Sequence, residues 1–571
     1  MTTTNKIDAI VVGSGAGGGT AARVLTDRGW NVVVLEKGKP WHADDFLPFD
    51  ELHFREHKTL IPKIDTDPMT YAGLDDKQSL PSERWWEIEM VGGSTMVWDA
   101  NFPRYADEDM SITQYLDIAS IPNSQVVDMP DWPWSYDDLQ PWFEIAEHEW
   151  AVSGRAGQTI GIKGAKPWSQ ERTRSGYDYP QPPLIDHAST KFLMSTFGKA
   201  GMPAYRGPRA INARTYDGRP ACSFCGYDQF FACPVNARSN SVNTMLSRAL
   251  HTGRCDLRTE HCVTRVGFEN GKVTGVYYIT EPNGAEQFLA APRVFLSAQP
   301  IQSARLMLLS KVPDPNNVVG HYLTYHTKAN ADFIFKKRPS WDTKSDGASH
   351  NNIGTLQLRD LYIINDKKHR KPFARDKSTY LTKGGKFSIY DPYTCIPPLR
   401  NLKGAAMGKE KTGVWGRDLV DYLSEVRSNA AVTFSFTGDA MSVHDNRVEL
   451  DEKKKDSWGV PVARTFYHHH QYDRDLAKYA IDRISDVMVN RGGGELRKYE
   501  LQSEANPGYG HVHGCLRAGT DRTKSVLDPL CQSWEVKNLY VLDASFMPTA
   551  GASNPSITMI ANAYRVCRNV Q

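Results

Sequence analysis

"KIDAIVVGSGAGGGTAARVLTDRGWNVVVLEKG", residues 6–38, is the stretch on which the fold turns. Ile7 to Val12 form a short apolar run of β-branched character, which predicts a strand. Gly13, Gly15 and Gly18 follow as G-x-G-x-x-G, and Ala21, Ala22, Val24 and Leu25 then recur at helical spacing. Residues 31–35 read as a second strand, ended by Glu36. Each residue type has a task in such a unit. Gly13 permits the tight turn, Gly15 lets backbone N–H groups approach a pyrophosphate, and Gly18 lets the helix pack closely on the strand. The helix N-terminus presents its positive end to the phosphates. Glu36 can accept hydrogen bonds from ribose hydroxyls and would repel the extra phosphate of NADP. The motif predicts a dinucleotide-binding unit and does not separate FAD from NAD. A glycine-rich turn without a ligand is the bland alternative.

The chain has 571 residues, enough for roughly two to four domains. Apolar residues make up 40% and charged residues 23%, as in ordinary globular proteins, and the net charge of +2 gives no global pull toward nucleic acid or an acidic membrane. No stretch approaches the ~18 consecutive apolar residues of a membrane span. "MTTTNKIDAIVVGSG" has no basic n-region and no cleavage site after an apolar core, so no signal peptide is predicted. The expected compartment is the cytoplasm, or the periplasm by co-export with a partner subunit. Nine cysteines, an odd number, argue against a disulfide framework.

The other informative end is "GYGHVHGCLRAGTDRTKSVLD" (508–528) with "NLYVLDASFMPTAGASNPSITMIANAYRVC" (538–567). Residues 538–542 read as a strand ending in Asp543. A loop with Pro548, Gly551 and Asn554 follows, then a helix with Pro555 at its first position and Asn554 as its N-cap. Such a helix end is a fixed positive pole. Under the N1–C2=O edge of a flavin it would stabilise the anionic reduced ring.

With "VGGSTMVW" (91–98) and "PRVFLSAQPIQSARLMLLS" (292–310) in between, the order of motifs resembles the glucose–methanol–choline (GMC) flavoprotein oxidoreductases over nearly the whole chain. The resemblance implies bound FAD and a mixed α/β fold. A Rossmann-type FAD-binding domain would be formed by residues 1–105, 205–325 and 505–571. A substrate domain built on an antiparallel sheet would be formed by 106–204 and 326–504. It also implies a catalytic pair, carried by position onto His511 and Asn554. An alcohol carbon gives hydride to flavin N5 while its hydroxyl loses a proton. A neutral histidine is a suitable base near pH 7, and Asn554 orients the oxygen without titrating. His513 is the rival base; His511 is preferred because the family pattern places the base three residues before a glycine, here Gly514. Gly93 and Ser94 belong to the segment that runs along the flavin, and Asp543 and Pro555 also fall at cofactor-binding positions. Some sugar oxidases of the family carry a histidine linked covalently to FAD where Val97 stands here, so FAD is expected to bind non-covalently. Val263 in "HCVTRV" matches a position whose backbone meets the adenine, and reads equally as an ordinary strand valine.

"CSFCGYDQFFACPVNAR" (222–238) spaces Cys222, Cys225 and Cys233 as C-x2-C-x7-C, which is not the paired C-x2-C of a zinc site. The segment resembles one GMC branch, the large FAD-bearing subunits of bacterial gluconate, fructose, sorbitol and glucose dehydrogenases. Asp228 stands where that branch commonly has a fourth cysteine. The resemblance implies iron–sulfur ligands passing electrons to a cytochrome acceptor, with a small helper subunit. Three thiolates suffice for a [3Fe–4S] cluster. A relict loop with free thiols or a Cys–Cys bond is the second reading, and zinc the last.

In the middle of the chain, Ser135 with Asp138 predicts a helix start, and Trp142, Phe143 and Trp150 read as core. "NADFIF" (330–335), "GKFSIY" (385–390) and "AAVTFSF" (430–436) suit an antiparallel sheet flooring a substrate pocket. The basic stretch 366–386 reads as a solvated loop. "YHHHQYDRD" (467–475) reads as structural, because consecutive histidines on a strand point to opposite faces. The sequence thus predicts an FAD-dependent dehydrogenase oxidising a hydroxyl of a sugar, sugar acid or polyol. Its rivals are a sugar oxidase using O₂, a non-redox lyase on the same fold, and a non-catalytic FAD-binding subunit.

Overall fold

The structure, a computed structural model, describes residues 6–40, 68–72, 80–82, 87–158, 160, 162–163, 178–186, 189–225, 232–336, 356–366, 371–372, 380–390, 416–418, 420–421, 430–501 and 510–571. Asp228 and residues 367–370 and 373–379 of the basic stretch lie outside these.

β1 (Ala9–Val12), α1 (Ala16–Asp27) and β2 (Val32–Leu35) follow one another as the glycine spacing predicts. β1 is central in a five-stranded parallel sheet ordered Leu539–Val541, Val294–Leu296, β1, β2, Cys255–Arg258. The sheet therefore gathers strands from three distant parts of the chain. β1 and β2 are buried along their whole length, which is why they read as continuous apolar runs rather than alternating ones. Two glycines are required by sterics. Gly13 has φ +93°, and a Cβ there would sit 2.4 Å from the Ser297 carbonyl oxygen. A Cβ on Gly18 would lie 1.9 Å from the Gly13 carbonyl oxygen, so α1 can approach β1 only through glycine.

The second large element is a six-stranded antiparallel sheet. Its order is Glu495–Leu501, Thr327–Phe335, Ala430–Gly438, Gly385–Tyr390, Leu356–Leu358, Ala204–Arg206. Its strands alternate. Ala329, Ala331, Phe333, Phe434, Phe436 and Phe387 form an apolar core with Leu476, Ala480, Ile481 and Ile484 of the helix Gln471–Val487. Each fully buried phenylalanine there contributes roughly 1.5–3 kcal/mol. The intervening residues, among them Lys328, Asn330, Ser435, Thr437, Lys386 and Ser388, make the opposite, polar face. Asn101 reaches that face: its Nδ2 is 3.4 Å from Ser388 Oγ, and its Oδ1 accepts from Gln357 Nε2 at 2.8 Å.

Ser135 caps the helix Tyr136–Glu149 in a capping box with Asp138, and Phe143 and Trp150 are fully buried. The histidine run does not lie on a strand. The strand Pro461–Phe466 has already ended, and His470 caps the helix Gln471–Val487, its Nδ1 accepting from the Tyr472 N–H at 3.1 Å. The run is structural, but as a helix cap. The solvated-loop reading fails for the end of the basic stretch: Lys383 and Lys386 are fully buried. Lys386 is brought inside by strand pairing, and Lys383 by an ion pair with Asp109 at 2.9 Å. No helix among the described residues is long and apolar enough to cross a membrane.

Candidate active site

A cleft of about 1520 Å³, counted out to its open mouth, runs across the carboxyl ends of β1 and β2. Gly13, Gly15, Glu36, Gly93, Ser94, Val263, Asp543 and Pro555 all line it. Gly18 does not; it packs behind, against Gly13. Nothing lies within 4 Å of where a Gly15 Cβ would be, so the backbone there faces open space. Gly15 is the N-cap of α1 and supplies no side-chain bond to the helix's first N–H groups. An uncapped twelve-residue helix opening on an empty cradle suits the pyrophosphate of a dinucleotide. The helix Ser556–Asn569 also starts at the cleft without a side-chain cap. Here the sequence expectation is corrected. Pro555 is the N-cap residue, one position later than predicted, because the Asn554 side chain is engaged elsewhere.

Glu36 is buried, and its carboxylate already accepts from Ser14 N (3.0 Å), Ser14 Oγ (2.5 Å) and Gly38 N (2.8 Å). Burial raises its pKa, and these bonds oppose the rise. It holds the glycine loop as well as facing the cleft. Asp543 does the same at the other end: it accepts from Ser303 Oγ (2.5 Å) and from Ser545 N (3.0 Å), and burial raises its pKa. Val263 is the second residue of a strand, Cys262–Glu269, that pairs with Lys272–Ile279, and Val97 is buried.

Next to the cleft, His511 and Asn554 meet, with Asn554 Nδ2 3.2 Å from His511 Nε2. The hydrogen bonds fix the protons. His326 Nε2 is 2.9 Å from the Ala550 carbonyl oxygen, which can only accept, so that nitrogen carries the hydrogen. Neutral His326 then has a bare Nδ1. This nitrogen lies 2.9 Å from His511 Nδ1, which must therefore donate. His511 Nε2 is left unprotonated, and its lone pair accepts from the Asn554 Nδ2–H. The amide's orientation is fixed independently, since Asn101 Nδ2 and Lys386 Nζ both donate to Asn554 Oδ1 at 2.9 Å. Burial, followed by the charge of Lys328, holds His511 well below the ordinary histidine pKa. Burial, followed by His513 and His511, does the same to His326. Both imidazoles are neutral at pH 7.

His513 is wholly buried, and burial pushes its pKa down to about 3. Its Nε2 is 3.2 Å from the Tyr105 hydroxyl. That hydroxyl gives its proton to the Ala550 carbonyl at 2.5 Å, so His513 Nε2 is a donor and offers no lone pair. Sequence reasoning missed His326, Asn101 and Lys386. They carry no motif: His326 sits between the strands Thr324–Tyr325 and Thr327–Phe335, and Lys386 looked like one more charge in a basic run.

Cys222 Sγ accepts from the Phe224 N–H at 3.4 Å and Cys233 Sγ from the Arg238 N–H at 3.5 Å. Among the described residues, however, no three histidine, cysteine or acidic side chains gather as a metal site. Among the described residues the three thiols do not gather as the ligand set of a cluster.

A Rossmann cleft beside a histidine with an unprotonated ring nitrogen defines a flavin- or nicotinamide-dependent oxidoreductase acting on a hydroxyl group. The description "GMC oxidoreductase" matches residues 130–328 and 442–563. The chain belongs to the GMC oxidoreductases, and is an FAD-dependent enzyme that acts on alcohol groups. It is 28% identical to a 2-methyl-1,2-propanediol dehydrogenase of Mycolicibacterium austroafricanum, over 99% of this chain and 95% of that protein. It is 24% identical to a gluconate 2-dehydrogenase flavoprotein of Pantoea cypripedii, over 98% and 92%. Its fold is similar to pyridoxine 4-oxidase from Mesorbium loti, with a TM-score of 0.60 at 15% identity over 99% of each chain.

Proposed function

We propose that the chain oxidises a hydroxyl of a sugar, sugar acid or polyol and passes the electrons to an external acceptor, with His511 as base and Asn554 as the residue that orients the oxygen. The observation that carries this reading is the unprotonated His511 Nε2 facing the Asn554 amide at 3.2 Å. A substrate hydroxyl entering between them gives its proton to Nε2 and accepts a hydrogen bond from Asn554 Nδ2. Until that transfer, His326 keeps the His511 hydrogen on Nδ1 and so leaves Nε2 able to accept the proton. FAD, held without a covalent bond, supplies the hydride acceptor. An electron-accepting haem protein and a small helper subunit are the partners to seek. The test is anaerobic mixing of the flavinated enzyme with a panel of sugars, sugar acids and polyols. Bleaching of the flavin absorbance is the expected result; bleaching by none of them would refute the reading. Reoxidation by air as fast as by an artificial dye would make the enzyme an oxidase.

Two glycine variants separate folding from flavin binding. Gly18→Ala is expected to abolish soluble folded protein, because its Cβ would meet backbone at 1.9 Å. Gly15→Ala has open space around it and should melt like the parent. It should bind FAD more weakly by about 1–3 kcal/mol, the cost of crowding a close contact. Thermal melting and flavin-to-protein absorbance ratios report the two effects separately.

His326 acts through His511. His326→Leu is expected to lower kcat about 10- to 100-fold, the usual cost of losing a group that orients a working imidazole. Substrate KM should change little. A KM effect larger than the kcat effect would count against this positioning role.

A further inference from the structure

The polar face of the six-stranded sheet brings more positive charge to the His511–Asn554 pair than the described residues neutralise. Register places Lys328 opposite Thr437, and Thr437 opposite Lys386, so the two lysines share one row. Lys328 is half-buried and its Nζ donates to Thr437 Oγ1 at 2.5 Å. Lys386 is fully buried behind Asn554. The next row holds Asn330, Ser435 and Ser388, with Glu500 paired to Asn330 at its far end. Asp332 lies one row further, where it accepts from Thr433 Oγ1 at 2.6 Å. Arg209 adds a third cation. It is fully buried, its Nη1 is 3.4 Å from Asp99 Oδ2, and its Nε and Nη2 have no hydrogen-bond partner among the described residues. Asp99 is the carboxylate that faces this group, and the Tyr390 hydroxyl also leans on it at 3.3 Å. Among the described residues, the neutral imidazoles of His511 and His326 adjoin Asn554 on the other side.

Charges buried in this way are normally paired. Here burial pushes Lys328 down to about 7. Lys386 falls well below its ordinary value, through burial first and then through Lys328, Arg209 and Arg359. Lys328 follows His326 by two residues, and His326 bonds His511; it also shares its row with Lys386, which bonds Asn554. Among the described side chains Asp99 is outnumbered by these cations, and Lys328, half-buried, is the more exposed of the two lysines.

We propose that the substrate is a hydroxy acid whose carboxylate is held by Lys328 while its hydroxyl sits between His511 Nε2 and Asn554 Nδ2. Lys386 holds Asn554 from behind through its hydrogen bond to Oδ1. The proposal rests on the hydroxyl-oxidising reading of His511 and Asn554, and narrows it to a substrate class. In the reaction the carbinol C–H leaves as hydride to FAD and the O–H proton goes to His511. The hydroxy acid becomes a keto acid, and the two electrons leave to the external acceptor. Lys328 and the ammonium of Lys386 change no bond.

The experiment uses the flavinated full-length enzyme with a dichlorophenolindophenol-type dye as acceptor. Two matched series are compared: aldonates and simple 2-hydroxy acids, and the polyols of the same carbon skeletons, with D-gluconate and D-sorbitol as the lead pair. A higher kcat/KM for the acids is expected. In Lys328→Gln the ratio of acid to polyol kcat/KM should fall about 10- to 100-fold, the size of a hydrogen bond between charged groups, mostly through KM. Lys328→Arg should restore much of the preference, and flavin content and melting check that each variant is folded. Polyols oxidised as well as or better than acids, or a ratio unmoved in Lys328→Gln, would overturn the carboxylate assignment and leave hydroxyl oxidation standing. Oxidation of neither series would overturn both.

Discussion

Replacing His511 by alanine is expected to lower kcat about 10²–10⁴-fold, the range that general-base catalysis contributes, with FAD still bound. The retained flavin follows from position: His511 is held by Asn554 and His326, and none of the glycine-loop contacts pass through it. The pH profile should carry the same signature. A base must be unprotonated to act, and burial with the nearby Lys328 lowers the His511 pKa well below 6.5. Activity should therefore persist as pH falls through 6.5, and the acid limb of kcat/KM should appear only further down. His513→Ala is the internal control. It removes a donor to Tyr105 and should cost stability more than turnover. If His511→Ala kept activity within a few-fold of the parent while His513→Ala lost it, the base would have been assigned to the wrong histidine.

The parts of this molecule that show in the sequence are those where a local pattern has one physical cause. The glycine fingerprint is visible because a turn, a close approach and a tight packing contact each exclude every side chain. The polar and apolar alternation of "NADFIF" and "AAVTFSF" is visible because one sheet face packs on a helix and the other does not. His511 and Asn554 were legible by resemblance of motif and position. Their proton arrangement was not, because it depends on His326, 185 residues away from His511, and on a carbonyl at Ala550. Likewise Asn554 seemed a helix cap because asparagine before proline usually is one. Long-range partners, Asn101 and Lys386, took its side chain instead. The basic stretch misled for a related reason. Charge counted along a chain says nothing about which lysine a sheet register or a distant carboxylate will draw inside.

Lys383 is the sharpest case of that kind, and its removal is expected to destabilise the protein by about 3–5 kcal/mol, the usual cost of breaking a buried ion pair. Its ammonium is fully buried, 2.9 Å from Asp109 Oδ1, 3.8 Å from Asp439 Oδ2 and 4.0 Å from the centre of the Tyr362 ring. Asp109 in turn accepts from Ala106 N at 2.7 Å and from Ala552 N at 3.2 Å. The pair thus ties the helix Asp107–Met110 to the loop that delivers Asn554. Lys383→Met keeps most of the volume and removes the charge, leaving two carboxylates buried together. The sign of the pH effect follows. Burial already raises Asp439 to about 7, and losing the lysine removes the charge that opposes that rise. A carboxyl whose folded pKa lies above its unfolded value adds stability at low pH and loses it as pH rises through the folded value. The deficit of Lys383→Met should therefore be larger at pH 8 than at pH 5.5, and Lys383→Met with Asp439→Asn should recover part of it. Thermal melting at the two pH values measures both. A variant that melts with the parent at pH 8 would mean that water, not Lys383, solvates these carboxylates. The Asn554 loop would then owe its position to its other partners, Asn101, Lys386, Tyr105 and His326 among them.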